Sequence, residues 1–99
     1  MPLTYVALFV LRAVANGHRF GFDIMDATGL PSGTVYPALR RLETSGLVSS
    51  AWEPDATARK ANRPRRRNYQ ITKAGRAELA ESEGKFHAVS KLLAGKVPS

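Results

Sequence analysis

The sequence predicts an α+β, mainly helical fold, a winged helix-turn-helix with a two-stranded wing and a long C-terminal dimerisation helix. Three observations point there. Pro31 to Ser50, PSGTVYPALRRLETSGLVSS, reads as a short helix with two incompatible faces, a glycine stop and the start of a strand. A basic stretch, RKANRPRRR from Arg59 to Arg67, lies between two strand-like segments, Leu47 to Glu53 and Asn68 to Ile71. The chain then ends in a heptad-like apolar stripe.

The elements follow in order. Leu3 to Ala15 is a helix with Pro2 near its first turn and Asn16-Gly17 as its stop. Its apolar residues are not confined to one stripe: Leu3, Ala7, Val10 and Val14 line one side, Leu8, Leu11 and Ala15 another, and Tyr5, Val6 and Phe9 add more. Such a helix has two surfaces to bury, one of them against a second subunit. Gly21 to Ala27 forms a second helix with Phe22, Ile24 and Met25, and Thr28-Gly29-Leu30 makes the tight turn of a helix-turn-helix.

In the third helix, Ser32 to Ser45, about 100° per residue gathers Val35, Leu39 and Leu42 on a core face. Gly33, Tyr36, Pro37, Arg40, Arg41 and Thr44 gather on the opposite side, with no carboxylate among them. Small residues at its start, Ser32, Gly33 and Thr34, let free backbone N–H groups approach an anion. Pro37 places that start near Pro31 to Gly33, and Gly46 supplies the left-handed stop. The strand segments come next. Between them composition shifts to Ala, Thr, Asn, Pro and charge, which makes a mobile loop at a hairpin tip. Thr72 caps the last helix, Lys73 to about Ala94, in which Leu79, Ser82, Phe86, Val89 and Leu93 recur at three and four residues. That helix is roughly 33 Å long at 1.5 Å per residue, more than so small a core requires. The division expected is a DNA-binding unit over residues 1–71 and a dimerisation helix over 72–99, joined compactly.

Ninety-nine residues suit one domain with a modest core, which association often stabilises. A formal charge of +7 favours a polyanionic partner, with double-stranded nucleic acid ahead of an anionic membrane, since the charge sits in a loop and not along an amphipathic helix. The absence of cysteine excludes disulfides, thiolate metal sites and cysteine nucleophiles. Two separated histidines and scattered carboxylates form no catalytic or metal-ligating constellation, so no enzyme, cofactor or metal is expected. Neither a secretory signal nor a membrane span is recognisable, which places the chain in the cytoplasm.

A charge run is usually a solvated face. Here Arg59, Lys60, Arg63, Arg65, Arg66 and Arg67 lie beside the helix carrying Tyr36, Arg40 and Arg41, the arrangement of an electrostatic footprint on duplex DNA. Glu43 and Glu53 are expected to point elsewhere and pair locally, and are assigned no functional role. The apolar positions expected at a homodimer interface are Leu3, Tyr5, Val6, Val10, Leu79, Phe86, Val89 and Leu93. A winged-helix module that binds protein or RNA is the rival reading, and it would dispense with the basic face.

HRFGFDI, GTVYPALRRLETSGLV, SAWE and RRRNYQITKAGRAEL occur in order between His18 and Leu79, and with them the chain resembles PadR-family transcriptional regulators of the short type. The resemblance implies that Tyr36, Pro37, Arg40 and Arg41 face an operator, that the wing contacts the backbone, and that the first and last helices form a homodimer. It also implies repression, and an effector of the phenolic or cationic aromatic kind. Two departures stand out: Phe20-Gly21-Phe22 replaces the usual His-Gly-Tyr, and the only tryptophan, Trp52, lies on the first wing strand and not in the last helix.

Overall fold

The computed structural model describes residues 3–95. Its order is α1 (Tyr5–Ala15), α2 (Gly21–Thr28), α3 (Ser32–Thr44), β1 (Val48–Trp52), α4 (Asp55–Lys60), β2 (Arg67–Ile71) and α5 (Lys73–Gly95). The winged helix-turn-helix and its long final helix are present as expected. Pro2 lies outside the described residues. The first helix is shorter than its apolar run suggested because Thr4 acts as N-cap, its hydroxyl accepting from the Ala7 amide at 3.1 Å.

Polar punctuation sets the other boundaries. Gly17, Gly29 and Gly46 have positive φ, and each ends or follows a helix at a place where a Cβ would be strained. Thr72 caps α5 by accepting from the Gly75 amide at 3.0 Å, while its hydroxyl donates to the Gly46 carbonyl at 2.7 Å. One hydroxyl thus joins the end of the α3 turn to the start of α5.

The core gathers around α1, whose Val10 and Leu11 are 0% exposed. Ile24 from α2, Val35, Leu39 and Leu42 from α3, Val48 and Tyr69 from the hairpin, and Leu79 from α5 complete it. Strands β1 and β2 pair antiparallel, with Val48 opposite Ile71 and Trp52 opposite Arg67.

Two expected interface positions are corrected. Val10 and Leu79 lie inside this chain's own core, because α1 turns Val10 inward and α5 turns Leu79 inward. The segment from Pro54 to Arg66 is also not a plain loop: α4 occupies Asp55–Lys60, with Ala58 buried beneath it, and β2 begins at Arg67, one residue early.

Helix α5 divides along its length. Its first turns pack on the body through Gly75 and Leu79, and Arg12 holds Glu83 with two guanidinium hydrogen bonds, that from Nε spanning 2.6 Å. That pairing raises the pKa of Arg12 and lowers that of Glu83. From Gly84 to Gly95 every residue is exposed.

Gly75 is the tightest approach in this packing. A Cβ there would lie 2.7 Å from Ile71 Cγ1 and overlap the Leu47 carbonyl. Gly75→Ala is therefore expected to lower stability by about 1–3 kcal/mol through overpacking. Gly84→Ala, in open space on the same helix, should raise it by up to about 1 kcal/mol through helix propensity. Urea midpoints of the two variants check the opposite signs.

Candidate nucleic-acid interface

Helix α3 stands on the core through Val35, Ala38, Leu39 and Leu42 and turns its other side to solvent. Ser32, Gly33, Tyr36, Arg40, Arg41 and Thr44 are exposed there, and Thr34 and Pro37 are half-buried. The Thr34 amide donates to the Pro31 carbonyl at 2.9 Å, which leaves the amides of Ser32 and Gly33 as the free donors of the first turn. Thr44 donates its hydroxyl hydrogen back to the Arg40 carbonyl at 2.9 Å. The Tyr36 ring rests against Gly21 at the start of α2, where a Cβ would run into the ring. Glycine at that position is what lets α2 and α3 close together.

The wing is organised by Glu53, one of the two carboxylates expected only to pair locally. Glu53 follows β1 and is buried, at 7% exposure. Its carboxylate accepts from Arg63 at 2.5 and 2.9 Å, a bidentate pair, and from the Arg66 backbone amide at 3.3 Å. Its own amide donates to the Arg66 carbonyl at 2.8 Å, and its carbonyl accepts from Arg65 Nε at 2.7 Å. These hydrogen bonds, led by the one from Arg63, hold the carboxyl at a pKa of about 2, below its ordinary 4.5. Strict alternation from the buried Val48 would put Trp52 inside and Glu53 outside; the structure reverses both, with Trp52 exposed and Glu53 buried just past the end of β1.

The cations of the wing divide accordingly. Arg63 is directed inward onto Glu53; Arg65 also pairs with Asp55 at 3.2 Å, and Arg66 reaches Glu53 at 3.5 Å. Arg67 donates through Nε to Ser50 Oγ at 2.9 Å and lies 3.6 Å from Glu43, whose carboxylate also accepts from Ser50. Glu43 and Ser50 thereby tie the wing to α3. Among the described residues Arg40, Arg41, Arg59 and Lys60 have no carboxylate partner, so their charge is fully presented to solvent.

Because the folded pKa of Glu53 is depressed, the stability its carboxylate contributes is complete above pH 4.5 and is lost as pH falls towards about 2. Glu53→Gln should lack this acid-side loss. Subtracting its urea midpoints from those of the unaltered protein, pH by pH, isolates the carboxylate's share; a difference that stays constant across that window contradicts the assignment.

No helix among the described residues is long and apolar enough to cross a membrane. A search of curated proteins finds no match. Solved structures do resemble the chain. A PadR family transcription regulator from Clostridium difficile shares 20% identity at a TM-score of 0.82, over 96% of this chain and 100% of that one. A PadR-like regulator from Bacillus cereus shares 19% at 0.77, over 95% and 92%. BpsR of Bordetella bronchiseptica, whose DNA binding is regulated by 6-hydroxynicotinic acid, shares 22% at 0.77, over 97% and 68%. These likenesses establish the fold. The model of the transcriptional regulator PadR-like family matches residues 10–81, and with that match across the helix-turn-helix, the wing and the start of α5, the chain belongs to the PadR-like family of transcriptional regulators.

Proposed function

We propose that the protein represses transcription by binding an inverted-repeat operator in duplex DNA as a homodimer, in the cytoplasm, and that a small aromatic effector relieves the binding. The observation that carries this reading is the exposed face of α3 with Tyr36, Arg40 and Arg41, whose one neighbouring carboxylate, Glu43, is engaged by Ser50 and Arg67, standing beside a wing whose basic residues are held in place. Helix α3 enters the major groove with the Ser32 and Gly33 amides toward a phosphate. Arg40 and Arg41 are the residues in reach of a guanine edge. Arg59, Lys60, Arg65, Arg66 and Arg67 serve the phosphate backbone, and Arg63 shapes the wing that carries them.

Homodimerisation draws support from the exposed apolar surface of α1 and α5. Tyr5 and Phe9 both meet Phe86 edge to face, with ring centroids 5.2 and 6.4 Å apart, and all three rings stay open to solvent. Val89, Leu92 and Leu93 extend that surface along α5, and the half-buried Leu3 and Val6 flank it on the α1 side. A patch of this kind on a small domain marks a contact. The effector reading rests on likeness to a regulator whose DNA binding a small aromatic acid controls.

Selection of bound duplexes from random sequence tests the reading directly. An inverted repeat with half-sites about 34 Å apart is expected; equal competition by random duplex overturns operator specificity. Within the selected site, Arg40→Ala or Arg41→Ala should cost about 1–3 kcal/mol at one base pair and relax preference there. Arg59→Ala or Lys60→Ala should instead weaken all duplexes alike and reduce the slope of log affinity against log salt by about one.

Phe86→Asp places a charge in the proposed seam. The variant should sediment as a monomer and lose a factor of about 10² to 10⁴ on the full operator while keeping its affinity for a half-site. A variant that stays dimeric with full affinity moves the interface away from α5.

A further inference from the structure

Between the start of α2 and the wing lies a cleft of about 360 Å³ that contains Phe20, Phe22 and Trp52, to which none of the roles above gives a part. Its floor and rim are aromatic, formed by Phe20, Phe22, Tyr36 and Trp52, and its wing side carries Arg66 and Arg67. Phe22 is 75% exposed and Trp52 54%, so two large rings stand in water beside each other's cavity. The guanidinium groups sit against these rings: Arg66 lies 3.7 Å over Phe20, and Arg65 and Arg67 lie 5.8 and 5.4 Å from Trp52. Arg66 Nε has no acceptor among the described residues.

This chemistry suits a partner that alternates apolar rings with negative charge. The rings offer flat apolar surface at little entropic cost, and the arginines supply cations along one wall. The cleft also joins the α3 face without a break, because Tyr36 lines both. When α3 occupies a major groove and the hairpin reaches the flanking groove, the strand separating those grooves passes over the gap between them. The aromatic cleft lies between those two elements, lined by Tyr36 of α3 and Arg67 of the hairpin.

We propose that the cleft seats a stretch of sugar-phosphate backbone, with deoxyribose rings packed on Trp52 and Phe22 and the intervening phosphates along Arg65 to Arg67. The assignment rests on the duplex-binding reading above and adds to it an apolar, salt-independent share of the affinity. The phosphate share falls with added salt through counterion release, whereas burial of aromatic surface does not.

The experiment uses the full chain and a random-sequence duplex, so that operator contacts do not enter. Trp52 is the only tryptophan, and its emission reports on the cleft alone. Emission should change on titration with the duplex. Phe22→Ala and Trp52→Ala should each weaken binding about 5–10-fold, the effect of uncovering one aromatic contact. That loss should be the same at about 0.1 and 0.3 M KCl, with the salt slope unchanged. Phe22 stands on the exposed side of α2, so its variant keeps the fold and carries the test even where Trp52→Ala disturbs Arg67.

Unchanged affinity in Phe22→Ala, a loss that disappears at the higher salt, or an emission indifferent to duplex overturns the assignment. Emission that answers to benzoate and not to duplex also overturns it, and makes the cleft a site for small aromatic anions. If the unaltered protein binds no duplex, the proposed function falls and this assignment falls with it. If it binds and Phe22→Ala binds equally, only the assignment falls.

Discussion

Burial of α1 is the constraint on which the other elements depend. Val10 and Leu11 are fully enclosed because α2, α3, α5 and the hairpin all need the same helix to cover their apolar sides. A domain of this size has no second core to offer. The direction in which Arg40 and Arg41 point is therefore decided on the far side of α3, by how Val35, Leu39 and Leu42 seat against α1. Substitutions deep in the body reach the exposed face by that route, as shifts in helix angle and not through any direct contact.

The wing solves a different problem. Six cations within nine residues repel one another, and left as a loop they would sample many arrangements. One buried carboxylate, Glu53, changes this by accepting from two arginines and a backbone amide while its own carbonyl fixes a third arginine. An ion pair of this kind is weak evidence for net stability, since desolvation offsets much of the attraction. Its effect here is geometric: a flexible charge run becomes a surface of fixed shape, at the expense of part of its positive charge.

Much of this was legible in the residues. Helical periodicity gave the two faces of α3, and the glycines and Thr72 gave the stops and the last cap, because these signals are local and each has one physical cause. The order helix, turn, helix, strand, basic segment, strand gave the fold. Misassignment came where tertiary contacts outweigh local pattern. Val10 and Leu79 belong to apolar stripes that look alike whether their partner is the same chain or another one. Local pairing of Glu53 was legible from the arginines around it, but its burial was not, since only the hairpin's curl brings it under cover. α4 escaped notice because six residues of mixed charge carry too little periodicity, and the single buried Ala58 that anchors it gives no signal in sequence. The cleft of Phe20, Phe22 and Trp52 escaped for the reason that its walls come from separate segments.

The outer half of α5 carries a consequence of another kind. Beyond Phe86 every described residue is exposed, so these turns draw none of the packing of an apolar face from which helices in proteins gain most of their stability. The last turns are then ordered by whatever covers them. If that cover is a second copy, completion of the fold becomes a matter of abundance: scarce chains carry a frayed tail, plentiful ones a finished helix. For a regulator, the number of copies in the cell would thus set the fraction of molecules that are structurally complete, a dose response written into the last twelve described residues before any effector is involved.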